Sequence, residues 1–304
     1  MITPDDTRQF LPTLGELTER TYTLYWADTK GAKTARSNSS DVVRVVGEDK
    51  LIADIDQRVV NDLLAVLKER GLSPASINRK MAALGKVLTL AVEEGIIQKK
   101  PKLPRLRENN QRVKCFTEVE LEGLFGHMQG NGHPDVVQFC LCLLETGMRG
   151  SEAHRMKWGD SGFVGGVESD GVARIYHTKS GDPRSIPLTK MAKEVLRDRA
   201  HFLREMPDAL DPDSKPWESV TQSRLTHVWN QARKALDFTA PDCVPHSLRH
   251  TCASRLARSG VDLLSIKEWL GHRSLTMTLR YSHLCLRQLE DARTALENYE
   301  EAGE

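Results

Sequence analysis

VPHSLRHTCASRLARSG, residues 244–260, places His246, Arg249 and His250 within five residues. On a helix beginning near His246, the residues Leu248, Cys252 and Leu256 recur at four-residue steps and form a buried stripe. His246 and Arg249 are three apart, so they are neighbours on another face and can address one ligand. His250, four from His246, either joins that cluster or packs structurally. Cations this close repel one another, and the stretch therefore asks for an anion. His-xxx-His on a helix is also a zinc spacing. Here Arg249 lies inside the pair, no HExxH glutamate is present, and no nearby carboxylates or cysteines complete a coordination sphere, so a metal is not expected.

Downstream, Gly260 closes the helix and Asp262 is placed to cap the next, LLSIKEWL, which ends at Gly271. His272 follows at once, and Tyr281 stands nine residues later in a segment polar enough to be accessible. Upstream, Asp135 to Glu145 is apolar on nearly every side and reads as a central buried helix stopped by Gly147. Ser151 is expected to cap the helix that follows, with Arg149 at the tight junction between them. ARIYHTKSGDPRSIPL, from Ala173, reads as a β-hairpin turning at Ser180 to Asp182, with Lys179 at the end of its first strand. Two arginines from separate helices, Arg149 and Arg249, can form a bidentate clamp for a phosphodiester, because the guanidinium fork matches two phosphate oxygens.

The first third of the chain is helical. Ser73 and Pro74 open a segment in which Ile77, Met81, Leu84, Leu88 and Ala91 recur at helical steps up to Gly95, and further helices are expected near Leu14 to Trp26 and Val59 to Leu67. Ser76, Asn78, Arg79 and Lys80 lie off that apolar stripe and are either DNA-backbone contacts or plain solubilising surface. Residues 98–114, QKKPKLPRLRENNQRVK, carry Lys99, Lys100, Lys102, Arg105, Arg107, Arg112 and Lys114 against the single acid Glu108. Pro101 and Pro104 forbid a regular helix, so this is an extended basic strap, either a solvated linker or a track along phosphates. The whole chain has 304 residues and a formal net charge of only +1, so the local patch is more informative than the total. Six cysteines without a CxxC pair read as reduced thiols, the polar start MITPDDTRQF is no secretion signal, and VVQFCLCLL from Val136 is too short to span a bilayer. A cytoplasmic protein is expected.

Taken together, TGMRGSE at Thr146, TKSGDPRSIPL at Thr178, HSLRH at His246, LGH at Leu270 and Tyr281 make the chain resemble the tyrosine recombinases of the phage integrase family, in the family's order and spacing. The resemblance covers about two thirds of the chain strongly, and LSPASINRKMAAL is similar to the family's core-binding domain. It implies a mainly α fold with a small β-hairpin or sheet: a helical core DNA-binding domain over 1–98, a basic linker over 99–114, and a mixed α/β catalytic domain over 115–304 with a C-terminal helix from about 284.

By the same resemblance Tyr281 is the nucleophile, Arg149 and Arg249 bind the phosphate, and Lys179 is the general acid for the leaving 5′ oxygen. His246 takes part in proton transfer with the phenol, His272 donates to a non-bridging oxygen, Glu152 orients its neighbours, and His250 is structural. A 3′-phosphotyrosyl intermediate and a Holliday junction follow, with no ATP, metal or other cofactor. The partners implied are double-stranded DNA carrying recombination sites and three further copies in a homotetramer, with the tail around Leu284, Leu286, Leu289, Ala292 and Leu296 docking on a neighbour. Directionality or host bending factors are further candidates; a membrane is not. The function expected is a phage- or prophage-type integrase acting in viral genome integration, in the bacterial cell or phage-infected host. Alternatives are a chromosome-dimer resolution recombinase, a type IB topoisomerase-like enzyme, and a catalytically silent DNA-binding protein.

Overall fold

The protein is described from a computed structural model covering residues 11–108, 114–164, 167–168, 170–176, 182–203, 211–285, 293–294 and 296–299. Two units divide the chain, Met1–Asn110 and Gln111–Glu304, with the boundary inside the basic segment.

The first unit is built from four helices, α1 (Leu14–Tyr25), α2 (Ala32–Val46), α3 (Gln57–Glu69) and α4 (Pro74–Glu93). Each of three has the cap its sequence offers: the Thr13, Asp56 and Ser73 side chains accept from backbone N–H groups at the starts of α1, α3 and α4. Leu14, Leu17, Val60, Leu63, Ile77, Met81, Leu84 and Leu88 fill the interior between them. Helix α2 is not evident in the sequence. Its first half, AKTARSNSS, offers no apolar stripe, and only Ser39 and Val42 are buried, so it is fixed by packing on α1 and α4.

The strap belongs to this unit as far as it is described. Leu103 and Leu106 turn into the core, Gln57 bonds the backbone of Lys102 at both ends of its amide, and Asn78 does the same for Leu106 (2.8 and 2.9 Å). Lys99, Lys100, Lys102, Arg105 and Arg107 stay exposed.

In the second unit, α5 (Glu118–Gly130) starts on a capping box between Thr117 and Glu120, and α6 (Pro134–Thr146) is the buried helix expected from its apolar run. It packs against α8 (Lys190–Leu203) and α10 (Ser247–Arg258). The short α7 (Gly150–Ala153) begins at Arg149, not at Ser151: the Glu152 carboxylate accepts from the Arg149 backbone N–H at 2.9 Å, and Ser151 is exposed.

Strands β1 (Phe163–Val164) and β2 (Val167–Glu168) form a small antiparallel pair, and β3 (Val172–Ile175) pairs with β4 (Arg184–Pro187) in the expected hairpin, Ile175 opposite Arg184. Helix α9 (Gln222–Ala235) precedes α10, and α11 (Leu263–Leu270) is capped by Asp262. A 3-10 segment, Leu279–Leu284, carries Tyr281. All six cysteines are free. Among the described residues, no helix is long and apolar enough to cross a membrane. Most of the tail proposed to dock on a neighbour lies outside the described residues; Leu284 packs on the α10–α11 core and Leu296 is exposed.

Candidate active site

Two chain reversals bring the site together. Helix α6 ends on Gly147 in the left-handed conformation (φ 64°), and a β-carbon there would lie 2.8 Å from Leu270 and 3.2 Å from the Cys252 sulfur. Helix α11 ends in the same way on Gly271 (φ 65°), where a β-carbon would meet the Arg184 guanidinium at 2.9 Å. Glycine at both positions lets Arg149, Arg249 and His272 converge.

Arg249 is 3% exposed. Its Nη1 donates to the Gly147 carbonyl and its Nη2 to the Leu270 carbonyl, both at 2.6 Å. These are C-terminal carbonyls of α6 and α11, which carry partial negative charge. A guanidinium has five N–H groups, more than the two carbonyls occupy, so the anchored fork can still receive an anion. Burial, then the positive charge of Arg149, lowers its pKa to about 9.

Glu152, also 3% exposed, ties two more arginines together: its carboxylate accepts from Arg149 Nη1 at 2.7 Å and from Arg184 Nη2 at 2.7 Å. Burial alone would push its carboxyl up, but hydrogen bonding and charge from Arg184, aided by Arg149, hold it at about 2. Arg184 also donates to the Trp269 carbonyl (3.1 Å), joining β4 to the end of α11. Local sequence does not mark Arg184 as a site residue, although it stands in the quoted hairpin motif, because its partners lie 32 and 85 positions away.

His272 is 8% exposed and its Nδ1 lies 2.8 Å from the Thr278 hydroxyl, which leaves Nε2 to face the site. Burial and the charges of Arg249 and Arg149 depress its pKa to about 3, so it is neutral at ordinary pH. His246 is exposed, at the rim of a cleft of about 470 Å3 shared with Arg149, Gln222, Thr226 and Asn230.

Tyr281 differs from the expectation of accessibility: it is 2% exposed, packed with Ala253, Ala257, Ile266 and Leu270. Burial pushes its phenol up to about 12 against the opposing charges of Arg280 and Arg249. Its hydroxyl lies 2.5 Å from His250 Nδ1, so His250 is in contact with the tyrosine. Lys179 and Arg112 fall outside the described residues.

Of the candidate DNA contacts, Arg79, Lys99, Lys100, Lys102, Arg105 and Arg107 are exposed in the first unit. Lys114 is half-buried and paired with Glu120. Lys80 is a correction: it is 7% exposed, with its Nζ 2.5 Å from Asp41, so it faces the interior of its unit. Asn78 likewise faces the strap backbone and Glu108.

Residues 114–286 match the model of the phage integrase family, more than half of the chain. The chain belongs to that family. It is a site-specific tyrosine recombinase. Residues 28–106 of the recombinase match a phage integrase SAM-like domain. Among its relatives are the tyrosine recombinase XerC of Pediococcus pentosaceus, 26% identical with 94% of each chain covered, and the integrase of Escherichia phage P2, 24% identical over 95% of this chain and 77% of that one. Its fold is similar to that of the Tn1549 transposon integrase bound to transposon right-end DNA (TM-score 0.73, 18% identity, 92% and 99% covered). It is also similar to the lambda integrase tetramer bound to a Holliday junction (TM-score 0.72, 20% identity, 92% and 80% covered).

Proposed function

We propose that the recombinase cuts and rejoins DNA by transesterification on Tyr281, as a phage- or prophage-type integrase acting through a homotetramer on double-stranded DNA. The single observation that carries the chemistry is the convergence of Arg149, Arg249 and His272 beside a tyrosine on a separate segment. Phosphoryl transfer depends mostly on positioning and on stabilising charge at the non-bridging oxygens. Arg149 and Arg249 supply fixed positive charge, and neutral His272 donates from Nε2 in the tautomer whose Nδ1 accepts from the Thr278 hydroxyl. Tyr281 attacks in line, the 5′ oxygen leaves with a proton from Lys179, and the energy of the broken phosphodiester is kept in the phosphotyrosine, so resealing needs no ATP. Neither a metal nor another cofactor is assigned a step. The exposed cations of the strap and Arg79 are assigned to the DNA backbone.

A second reading, a resident recombinase like the tyrosine recombinase XerC, is favoured by one observation: the match to that relative spans 94% of both chains. Incubation with flanking genomic DNA in EDTA, followed by SDS electrophoresis and sequencing of the adducts, tests both. A covalent adduct that is chelator-resistant and lost in Tyr281→Phe is expected. Adducts at a phage–host attachment pair favour the integrase, and adducts at one repeated chromosomal site favour the alternative. Tight DNA binding without any adduct would overturn the transesterification.

A further inference from the structure

The family resemblance gives the proton of the nucleophile to His246, whereas the side chain in contact with the phenol is His250. Tyr281 is sealed from solvent, so water cannot take its proton directly. The group on its hydroxyl is His250 Nδ1, at 2.5 Å, whereas His246 stands one helical turn away at the cleft rim, edge-on to the His250 ring at 5.0 Å between centroids. His250 is placed by the helix itself: it follows Arg249 directly, so one turn of α10 sets both the phosphate clamp and the contact to the phenol.

We propose that His250 is a catalytic residue that accepts the Tyr281 proton, and that it becomes able to do so when the scissile phosphate enters the arginine clamp. This rests on the proposed Tyr281 transesterification. In the step, the proton passes from Tyr281 Oη to His250 Nδ1, a bond forms between Oη and phosphorus, and the P–O5′ bond breaks. The O5′ leaving group takes its proton from a separate acid, the role proposed for Lys179. On rejoining, the 5′ hydroxyl returns its proton to that acid as it attacks phosphorus, the P–Oη bond breaks, and the proton on His250 goes back to the tyrosine oxygen.

The charges around the ring account for the dependence on substrate. Burial first, then the His246 imidazole at the start of α10, Arg280 beside Tyr281, Arg249 on α10 and, where it is protonated, His272 after α11, depress the His250 pKa to about 3 in the free protein. Without DNA the ring is neutral and serves only as the acceptor that fixes the hydroxyl. A phosphate between Arg149 and Arg249 adds negative charge to cations that Glu152 offsets only in part in the free protein, and so makes the imidazolium less costly. Cleavage is thereby confined to a loaded site.

A nicked substrate that loses its 5′ fragment on cleavage gives the rate of adduct formation at saturating DNA. His250→Phe and His250→Gln are each expected to slow it by about a hundredfold or more, with DNA affinity unchanged within about twofold and with rates that climb with pH up to 9. His250→Gln keeps an acceptor and cannot take a proton, so rates restored by glutamine would overturn the proposal, as would a wild-type rate in His250→Phe. Nitrogen NMR of the histidines in the intact protein provides a measure that needs no folded His250 variant. An Nε2-protonated His250 is expected, with an Nδ1 signal that moves in Tyr281→Phe; a proton on Nδ1 would overturn the proposal. Failure of the wild-type protein to form any adduct would instead remove the transesterification itself, and the NMR result would still judge the contact.

Discussion

Glu152 shows how a buried carboxylate can organise cations without touching the reacting atoms. Its carboxyl stays at about 2, below the ordinary 4.5, because Arg184 and Arg149 outweigh its burial. A depressed pKa adds stability that is fully present above pH 4.5 and is lost as the pH falls toward 2. Glu152→Gln is therefore expected to cost about 3–5 kcal/mol at neutral pH, since it leaves two guanidinium groups unpaired, and to flatten the acid limb of stability. Urea unfolding between pH 2 and 7 measures both, and parallel curves for the two proteins would contradict the assignment. Arg149, Glu152, Arg249, His272 and Tyr281 were legible in the sequence because each sits in a motif with a fixed local spacing. Arg184 and Thr278 were not: the partners of Arg184 lie 32 and 85 positions away, and the His272–Thr278 contact, though only six residues apart, is made around a turn that no periodicity encodes. His250 was seen, but its partner 31 residues away was not.

At the level of elements, the reversals after α6 and α11 hold more of the site than the helices do. Gly147→Ala puts a methyl group within 2.8 Å of Leu270 at a backbone conformation that alanine disfavours. It is expected to lower stability by about 1–3 kcal/mol and to reduce cleavage further than stability alone explains, because the Gly147 and Leu270 carbonyls anchor Arg249. Thermal unfolding beside the adduct rate at low temperature separates the two effects; cleavage unchanged in the folded variant would count against the anchor. The helices with strong apolar periodicity, α4 and α6, were plain from sequence, and so were the Ser73 and Asp262 caps. Helix α2 was hidden by its polar first half, and the burial of Tyr281 by the polarity of its flanks, since SLTMTLR gives no sign of the apolar groove that receives the ring.

Across the whole molecule, charge is distributed by side chain and not by net total. The strap presents Lys99, Lys100, Lys102, Arg105 and Arg107 outward while Leu103 and Leu106 hold its backbone to the first unit. Each of these cations that meets a phosphate should contribute about 0.9 to the slope of log affinity against log salt. Replacing Lys102, Arg105 and Arg107 by alanine is expected to lower that slope by up to roughly 2.7 with little change in folding. Lys80→Ala should do the reverse, weakening the fold through Asp41 and leaving the slope alone. Fluorescence titrations of labelled duplex at several salt concentrations decide between these outcomes, and equal slopes in all proteins would mean that the strap does not track phosphates.

The anchoring of Arg249 on the main-chain oxygens of Gly147 and Leu270 bears on heredity as well as on chemistry. A side chain can change without removing a peptide carbonyl, so the clamp asks of its surroundings that two helices end where they do, each on a glycine that the tight reversal accepts. A change of side chain at Leu270 therefore leaves the oxygen that holds Arg249 in place, provided the helix still ends there.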